Sequence, residues 1–179
     1  MSVKGLVSII MNCHNGETFL NLAIKSVLNQ TYKNWELIFW DNNSSDNSAK
    51  IFHSFKDKRL KYYFKKKKVS LYESRNTAIK KANGEFLAFL DVDDEWFPKK
   101  LNLQIKKFKD QRVGLVYGNY HTININNFFI KKKLGIKKNL PEGYILKDLL
   151  KNYCVGLLTI MIRKKFVIKD REIFRVKYN

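Results

Sequence analysis

Phe86-Leu87-Ala88-Phe89-Leu90-Asp91-Val92-Asp93-Asp94 decides the reading of this chain. Five apolar residues in an unbroken run have strand length and no alternation, the pattern of a strand covered on both faces. The run stops at Asp91, and three carboxylates fall within four positions. A buried strand delivers such a tail to the rim of an open α/β sheet, where ligands bind. Two unit charges about 4 Å apart repel by roughly 4 kcal/mol at an effective dielectric near 20. Protonation, a basic partner or a divalent cation relieves that repulsion, and carboxylate oxygens suit a hard cation. A plainer reading competes. Trp96-Phe97-Pro98 announces a helix, and Asp93 or Asp94 serves as its cap. The two are compatible, because one aspartate can cap while its neighbours hold metal.

Strands and helices alternate on the N-terminal side of this stretch. Leu6 to Met11 reads as a first strand, broken by the polar turn Asn12-Cys13-His14-Asn15-Gly16. Glu17 to Asn29 reads as a helix, with Leu20, Ile24, Val27 and Leu28 on one face. Trp35 to Trp40 is a second strand stopping at Asp41, and the turn-rich Asn42-Asn43-Ser44-Ser45-Asp46 leads to a short helix ending near Phe55. Leu60 to Phe64, flanked by lysines, is a shorter strand near an edge. A helix from about Leu71 to Ala82 puts Leu71, Ser74, Ala78 and Ala82 on one face, and Asn83-Gly84 stops it. This alternation predicts an α/β fold: a doubly wound, mostly parallel sheet with helices on both faces. Asn12 to Asn15, Asp41 and Asp91 to Asp94 then converge on one rim, beyond the carboxyl ends of the strands.

Further along, Pro98 to Lys109 is an amphipathic helix with Leu101, Ile105 and Phe108 inward. Val113 to Tyr117 and Tyr120 to Ile125 read as strands, with Phe128 to Lys132 pairing with the latter. Tyr144 to Lys151 is a short helix and Gly156 to Ile162 a last strand. These pieces form a small mixed β extension. No repeat or linker divides residues 1–179, so one domain is expected.

Composition agrees, since 45% hydrophobic and 14% aromatic content supports a full core. No apolar run approaches the roughly 20 residues that span a bilayer. Leu6 to Met11 runs into polar residues without a cleavage site, so no signal peptide is read. Cys13 and Cys154 show no metal-ligand spacing and suggest no disulfide framework, which points to a reducing cytoplasm. The net charge of +19, from 35 Lys and Arg against 16 Asp and Glu, suits a polyanion: nucleic acid, an anionic membrane or a phosphate-bearing substrate. Lys65 to Lys68 and Lys131 to Lys133 also read as solvated loop or strand-edge charge, so charge alone does not choose. The rim itself is no ordinary dinucleotide crevice. Its first turn has only Gly16 where the Gly-x-Gly-x-x-Gly fingerprint needs three glycines, and no Gly-x-x-x-x-Gly-Lys loop exists.

Five segments in order resemble a family 2 glycosyltransferase of the GT-A (Rossmann-like) fold. They are Val7-Ser8-Ile9-Ile10-Met11-Asn12-Cys13-His14-Asn15, Ser26-Val27-Leu28-Asn29-Gln30-Thr31-Tyr32, Asp41-Asn42-Asn43-Ser44-Ser45-Asp46, Ser74-Arg75-Asn76, and Gly84-Glu85-Phe86 with Asp91-Val92-Asp93-Asp94. The resemblance implies residues 1–95 as a nucleotide-sugar-binding half and 96–179 as part of an acceptor-side half. It implies that Asp41 meets the base, usually uracil, with Asn12 and Asn15 in the contacting turn and Arg75 near the nucleotide. Asp91 would address the ribose. Asp93 would ligate Mn²⁺ or Mg²⁺ on the diphosphate, with Asp94 as additional support.

The implied function is metal-dependent transfer, with inversion, of a sugar from a UDP-sugar to a glycan or lipid-linked acceptor in bacterial surface-polysaccharide synthesis. Docking at the inner face of the plasma membrane is expected, and nucleic acid is not. His14 reads as a turn residue, His53 and His121 have no role, and Trp96 packs the following helix. Inverting members carry a carboxylate base on a later segment. Asp170 and Glu172 are the late acids here, in a basic loop unlike that motif, so no base is assigned and a fragment of a longer enzyme is expected. The alternatives are a donor-binding fragment without turnover and a non-catalytic, basic polyanion-binding module.

Overall fold

The computed structural model describes residues 2–126, 129–135, 139–151, 155–166 and 174. The elements run β1 (Val3–Cys13), α1 (Leu20–Leu28), β2 (Trp35–Asp41), α2 (Ser48–Ser54), β3 (Leu60–Phe64), α3 (Leu71–Lys80), β4 (Gly84–Phe89), α4 (Lys100–Lys107), β5 (Leu115–Val116), β6 (His121–Asn126), β7 (Phe129–Leu134), α5 (Leu146–Lys151) and β8 (Met161–Arg163). Among the described residues the main sheet has the order β3-β2-β1-β4-β8-β5. The first four strands are parallel; β8 is antiparallel to both β4 and β5. The expected α/β sheet with a small mixed extension is therefore present, and β6 with β7 forms a separate hairpin.

Winding follows from the pattern of apolar residues. Along β1, Val7, Ile9 and Met11 face one layer, with Leu20, Ile24 and Val27 of α1, Phe52 of α2 and Leu101 of α4. Ile10, on the opposite pleat, joins Ile38, Leu87 and Phe89 against Ala78, Ile79 and Ala82 of the α3 segment. After β3 the chain thus crosses to the far side of β1, which makes the β1–β4 junction the switch point of the sheet. Gly84 lets the strands meet there, because a Cβ would lie 2.5 Å from Leu6 O. Gly84 opens β4 rather than closing α3, which ends at Lys80.

Several expected boundaries move, for local reasons. α1 begins at Leu20 rather than Glu17, since the Gly16 carbonyl accepts the Phe19 and Leu20 N–H groups in a preceding turn. Leu71 is 48% exposed instead of joining the buried face of α3. The expected strand Gly156–Ile162 divides into a 3₁₀ turn, Leu157–Thr159, and β8. Side chains hold the carbonyls that a longer strand would need: Trp96 Nε1 donates to Leu158 O (2.9 Å) and Gln104 Nε2 to Thr159 O (2.6 Å). Cys154, Phe128, Asp170 and Glu172 lie outside the described residues, as does residues 170–179 apart from Phe174. Among the described residues no helix is long and apolar enough to cross a membrane.

Arg163 joins the extension to the parallel sheet. It is 1% exposed; Nη1 donates to Glu85 Oε1 (2.6 Å), Nη2 to Phe108 O (2.8 Å) and Nε to Val113 O (3.3 Å). Removing one partner of a buried, hydrogen-bonded pair costs about 3–5 kcal/mol. Arg163→Met should lose that much in urea unfolding, while Arg112→Met, whose side chain is 91% exposed in its pair with Asp110, should leave the urea midpoint nearly unchanged.

Candidate active site

The ends of β2, β1 and β4 stand side by side. Cys13 registers with Asp41, and Leu90 N–H donates to Ile10 O (3.1 Å), so Asp41 and Asp91 are two strand spacings apart, about 10 Å. The intervening loops are laced together. Asn42 N–H donates to Cys13 O (2.8 Å), Gly16 N–H to Ser48 Oγ (2.9 Å) and Glu17 N–H to Asp46 Oδ2 (2.9 Å), while Asn47 N–H returns a bond to Glu17 Oε2 (2.9 Å). Gly16 also admits the acidic turn: a Cβ on it would lie 2.9 Å from Val92 Cγ2.

Asp41 is 1% exposed. Its Oδ1 accepts Ser44 N–H (2.8 Å) and its Oδ2 accepts Tyr62 O–H (2.6 Å). Burial, then the bond to Asp41, raises the Tyr62 hydroxyl's pKa and keeps it a donor. Asn12, at the adjacent end of β1, is 8% exposed, and among the described residues neither its amide oxygen nor its amide nitrogen has a partner. A buried amide left unsatisfied costs about 1–3 kcal/mol, so a ligand that pairs with it recovers that cost. Asn15 lies on the same rim, in a left-handed conformation (φ 56°), but its side chain is already committed to Ser45 N–H (2.8 Å). His14 is exposed, with Nδ1 3.1 Å from Asn42 O, a turn residue as expected.

Arg75 reaches the rim from α3, and its Nη2 donates to both oxygens of Asp91 (2.8 and 3.0 Å). Asp91 is thereby charge-compensated. Asp93 is exposed, and Asp94 closes the turn through its N–H to Asp91 O (3.1 Å). Burial first, then the charges of Asp93 and Asp91, push the Asp94 carboxyl up to about 6. Among the described residues no three of His, Cys, Asp and Glu converge tightly enough to cage a metal ion. The donor set instead fits a hard cation that takes one or two carboxylates and completes its shell from a bound ligand's oxygens.

The capping alternative is overturned. α4 begins at Lys100, has Lys99 at its cap without a side-chain bond, and has no acid in its first turn. The device that replaces the cap lies in a residue without an assigned role at the sequence level. Gln30, fully buried, accepts Leu101 N–H through Oε1 (3.1 Å) and donates through Nε2 to Ser26 O (3.1 Å) and Phe97 O (2.9 Å). Thr31 N–H donates to Pro98 O (2.9 Å) beside it. One amide thus ties the segment after Asp94 to the end of α1, and only the match of residues 26–32 to a family signature marked it. Trp96 is buried in the core beside α4, as expected, with Lys100 Nζ 3.8 Å from its ring centroid.

Asp94 gives a pH dependence with a definite sign. Its pKa in the folded protein lies above the ordinary value of 3.8, so the folded state binds more protons between pH 3.8 and about 6. Stability falls as pH rises through that window, and the cost is fully present above it. In chelator-treated protein, Asp94→Asn should raise Tm at pH 8 by about 2–4 °C, what about 1 kcal/mol gives at this chain length. The gain should vanish near pH 3.5. Gln30→Ala, which strands two buried backbone groups and one part-buried, should lower stability by about 2–4 kcal/mol in urea unfolding.

The sequence matches the family described as Glycosyl transferase family 2 over residues 8–169. It is 41% identical over 157 residues to the UDP-Glc:alpha-D-GlcNAc-diphosphoundecaprenol beta-1,3-glucosyltransferase WfgD of Escherichia coli, covering 88% of this chain and 60% of that protein. It is 36% identical over 165 residues to WfaP of Escherichia coli, which carries the same description, covering 92% and 63%. The chain therefore spans less than two thirds of the length of either relative. Among solved structures, Staphylococcus aureus TarS 1–349 in complex with UDP-GlcNAc superposes with a TM-score of 0.72 at 20% identity, covering 90% of this chain and 46% of that one. The mannosyltransferase PcManGT of Pyrobaculum calidifontis, in complex with GDP-Man and Mn²⁺, gives 0.58 at 22% identity, covering 62% and 34%. The fold is of the GT-A type, and the chain belongs to glycosyltransferase family 2.

Proposed function

We propose that this chain is the donor-binding half, with part of the acceptor side, of a metal-dependent glycosyltransferase. It moves a sugar from a UDP-sugar to a glycan or lipid-linked acceptor in cell-surface polysaccharide synthesis. The observation that carries this reading is the gathering, on one sheet rim, of Asp41, the unpartnered Asn12 amide and the Asp91–Asp94 turn with Arg75. The relatives' names supply the finer chemistry. WfgD and WfaP are named for UDP-Glc and a diphosphoundecaprenol-linked acceptor, and TarS is seen with UDP-GlcNAc. PcManGT is seen in complex with GDP-Man and Mn²⁺.

In this reading residues 1–95 receive the donor and residues 96–179 face the acceptor. Asp41 takes the base: each of its oxygens keeps a second lone pair beside the bonds from Ser44 and Tyr62. Asn12 supplies a buried donor and acceptor next to it, and the Asn15 turn sets the backbone there. Arg75 fixes Asp91, which addresses the ribose. Asp93, with Asp94 in support, would hold Mn²⁺ or Mg²⁺, which when bound would supply Lewis-acid stabilisation of the charge on a departing diphosphate. The laced loops hold this geometry before the donor arrives, so little ordering cost falls on binding. No side chain is assigned as the base that activates the acceptor hydroxyl. A reducing cytoplasm is the proposed setting, with Cys13 a buried free thiol.

The test is calorimetry of UDP binding to this chain. Binding should need Mn²⁺ or Mg²⁺, should be abolished in Asp93→Ala, and should weaken about tenfold in Asp41→Asn, the worth of one good hydrogen bond. UDP binding of full affinity in a chelator, unchanged in Asp93→Ala, would overturn the assignment.

A further inference from the structure

Three consecutive lysines stand beside Asp41 on a fixed base. β3 ends at Phe64, and Lys65–Ser70 returns the chain to α3. Both ends of this loop are bound to the end of β2. Lys65 N–H donates to Asp41 O (2.9 Å), Val69 N–H donates to Asn42 Oδ1 (3.0 Å), and Asn42 Nδ2 donates to Val69 O (2.8 Å). Lys65 Nζ lies 3.7 Å from Glu73, whereas Lys66, Lys67 and Lys68 are exposed and form no ion pair among the described residues. They are not edge-strand charge of the ordinary protective kind, for they lie beyond the strand. Lys61, within β3, is instead bound to Glu36.

Apolar side chains flank the lysines: Phe64 is 53% exposed, Leu71 48% and Tyr72 45%. Solvated charge accounts for a lysine run but not for three large apolar groups in the same nine residues. Cations flanked by a phenylalanine, a leucine and a tyrosine make an interfacial composition, in which headgroups meet the cations and the acyl boundary takes the apolar groups. A nucleic acid backbone would use the lysines and offer Leu71 nothing to stack on. The chain's +19 charge adds long-range attraction of the same sign.

We propose that Phe64–Tyr72 is a docking surface for an anionic lipid bilayer. Lys66, Lys67 and Lys68 contact headgroup phosphates, and Phe64, Leu71 and Tyr72 enter the interface. Because the loop is bound to Asp41 and Asn42, docking sets the candidate site beside the bilayer. The inference stands apart from the transferase reading, since it needs neither donor nor metal.

Co-sedimentation of this chain with phosphatidylglycerol–phosphatidylcholine vesicles, against phosphatidylcholine vesicles and single-stranded DNA, tests it. Binding should be confined to the anionic vesicles at near-physiological salt and weaken as salt rises. Replacing Lys66, Lys67 and Lys68 together by Gln should lower partitioning on the order of a hundredfold. Phe64→Ser with Leu71→Ser should lower it about tenfold or more with the lysines intact. Replacing Lys106, Lys107 and Lys109, the same charge on the α4 side, should leave most binding in place. Equal loss in that matched variant would reduce the effect to net charge and overturn the assignment of this surface. Full binding after the Phe64 and Leu71 changes, or association with DNA and not vesicles, overturns the bilayer as partner. Melting curves exclude unfolding, and Lys66→Gln with Lys67→Gln serves if the triple variant melts early.

Discussion

Parallel pairing of β4 against β1 is the contact on which the molecule turns. Only a residue without a side chain fits where Gly84 meets Leu6 and Ser8, and the strand that starts there runs buried to Phe89. The chain reaches that position by passing α3 over the opposite face from α1 and α2. Had β4 joined the β3 edge instead, the Asp91 turn would lie three strand positions from the Asn12 loop. In the observed order the ends of β2, β1 and β4 are neighbours, and the polar ends of three distant segments share one rim.

That rim is electrostatically unbalanced by construction. One guanidinium, from Arg75, serves one of three acids, and burial with the charges of Asp93 and Asp91 pushes the Asp94 carboxyl up to about 6. Such a turn would relax if it hung on a free loop. It does not, because Gly16 packs on Val92 from one side and Gln30 seizes the following segment from another. The same economy holds at the other end of the rim, where the lysine loop is fixed to Asp41 and Asn42. Rigid presentation of opposite charges, side by side, distinguishes this edge from the rest of a basic protein.

Much of the fold was legible because burial writes itself into apolar periodicity. The Leu60–Phe64 strand and the start of α3 at Leu71 match the structure as read, and alternation along β1 separates the two core layers. What was not legible depends on tertiary partners. The helix after Asp94 is expected from Pro98, with an aspartate cap as the plainer of two readings of the acidic turn. It starts at Lys100 because Gln30, 71 residues before Leu101, completes its first turn. The last strand lost its first half to Trp96 and Gln104, which hold its carbonyls, and no local pattern announces that. Leu71 looked like core by helical spacing but sits in an exposed first turn. The site fared similarly. Residue types and order located the acids, whereas the Asn12 amide, unpartnered among the described residues, and the bonds that Asp41 accepts from Ser44 and Tyr62 and Asn15 from Ser45 exist only in three dimensions.

The anchoring of the acidic turn has a bearing on how the chain is made. Its two ends are received by Ile10 O and Gln30 Oε1, both within the first thirty residues. During synthesis from the N-terminus, the groups that will seat this turn leave the ribosome well before Asp91 does. A self-repelling acidic turn therefore emerges after the groups that receive it, into a berth whose components already exist.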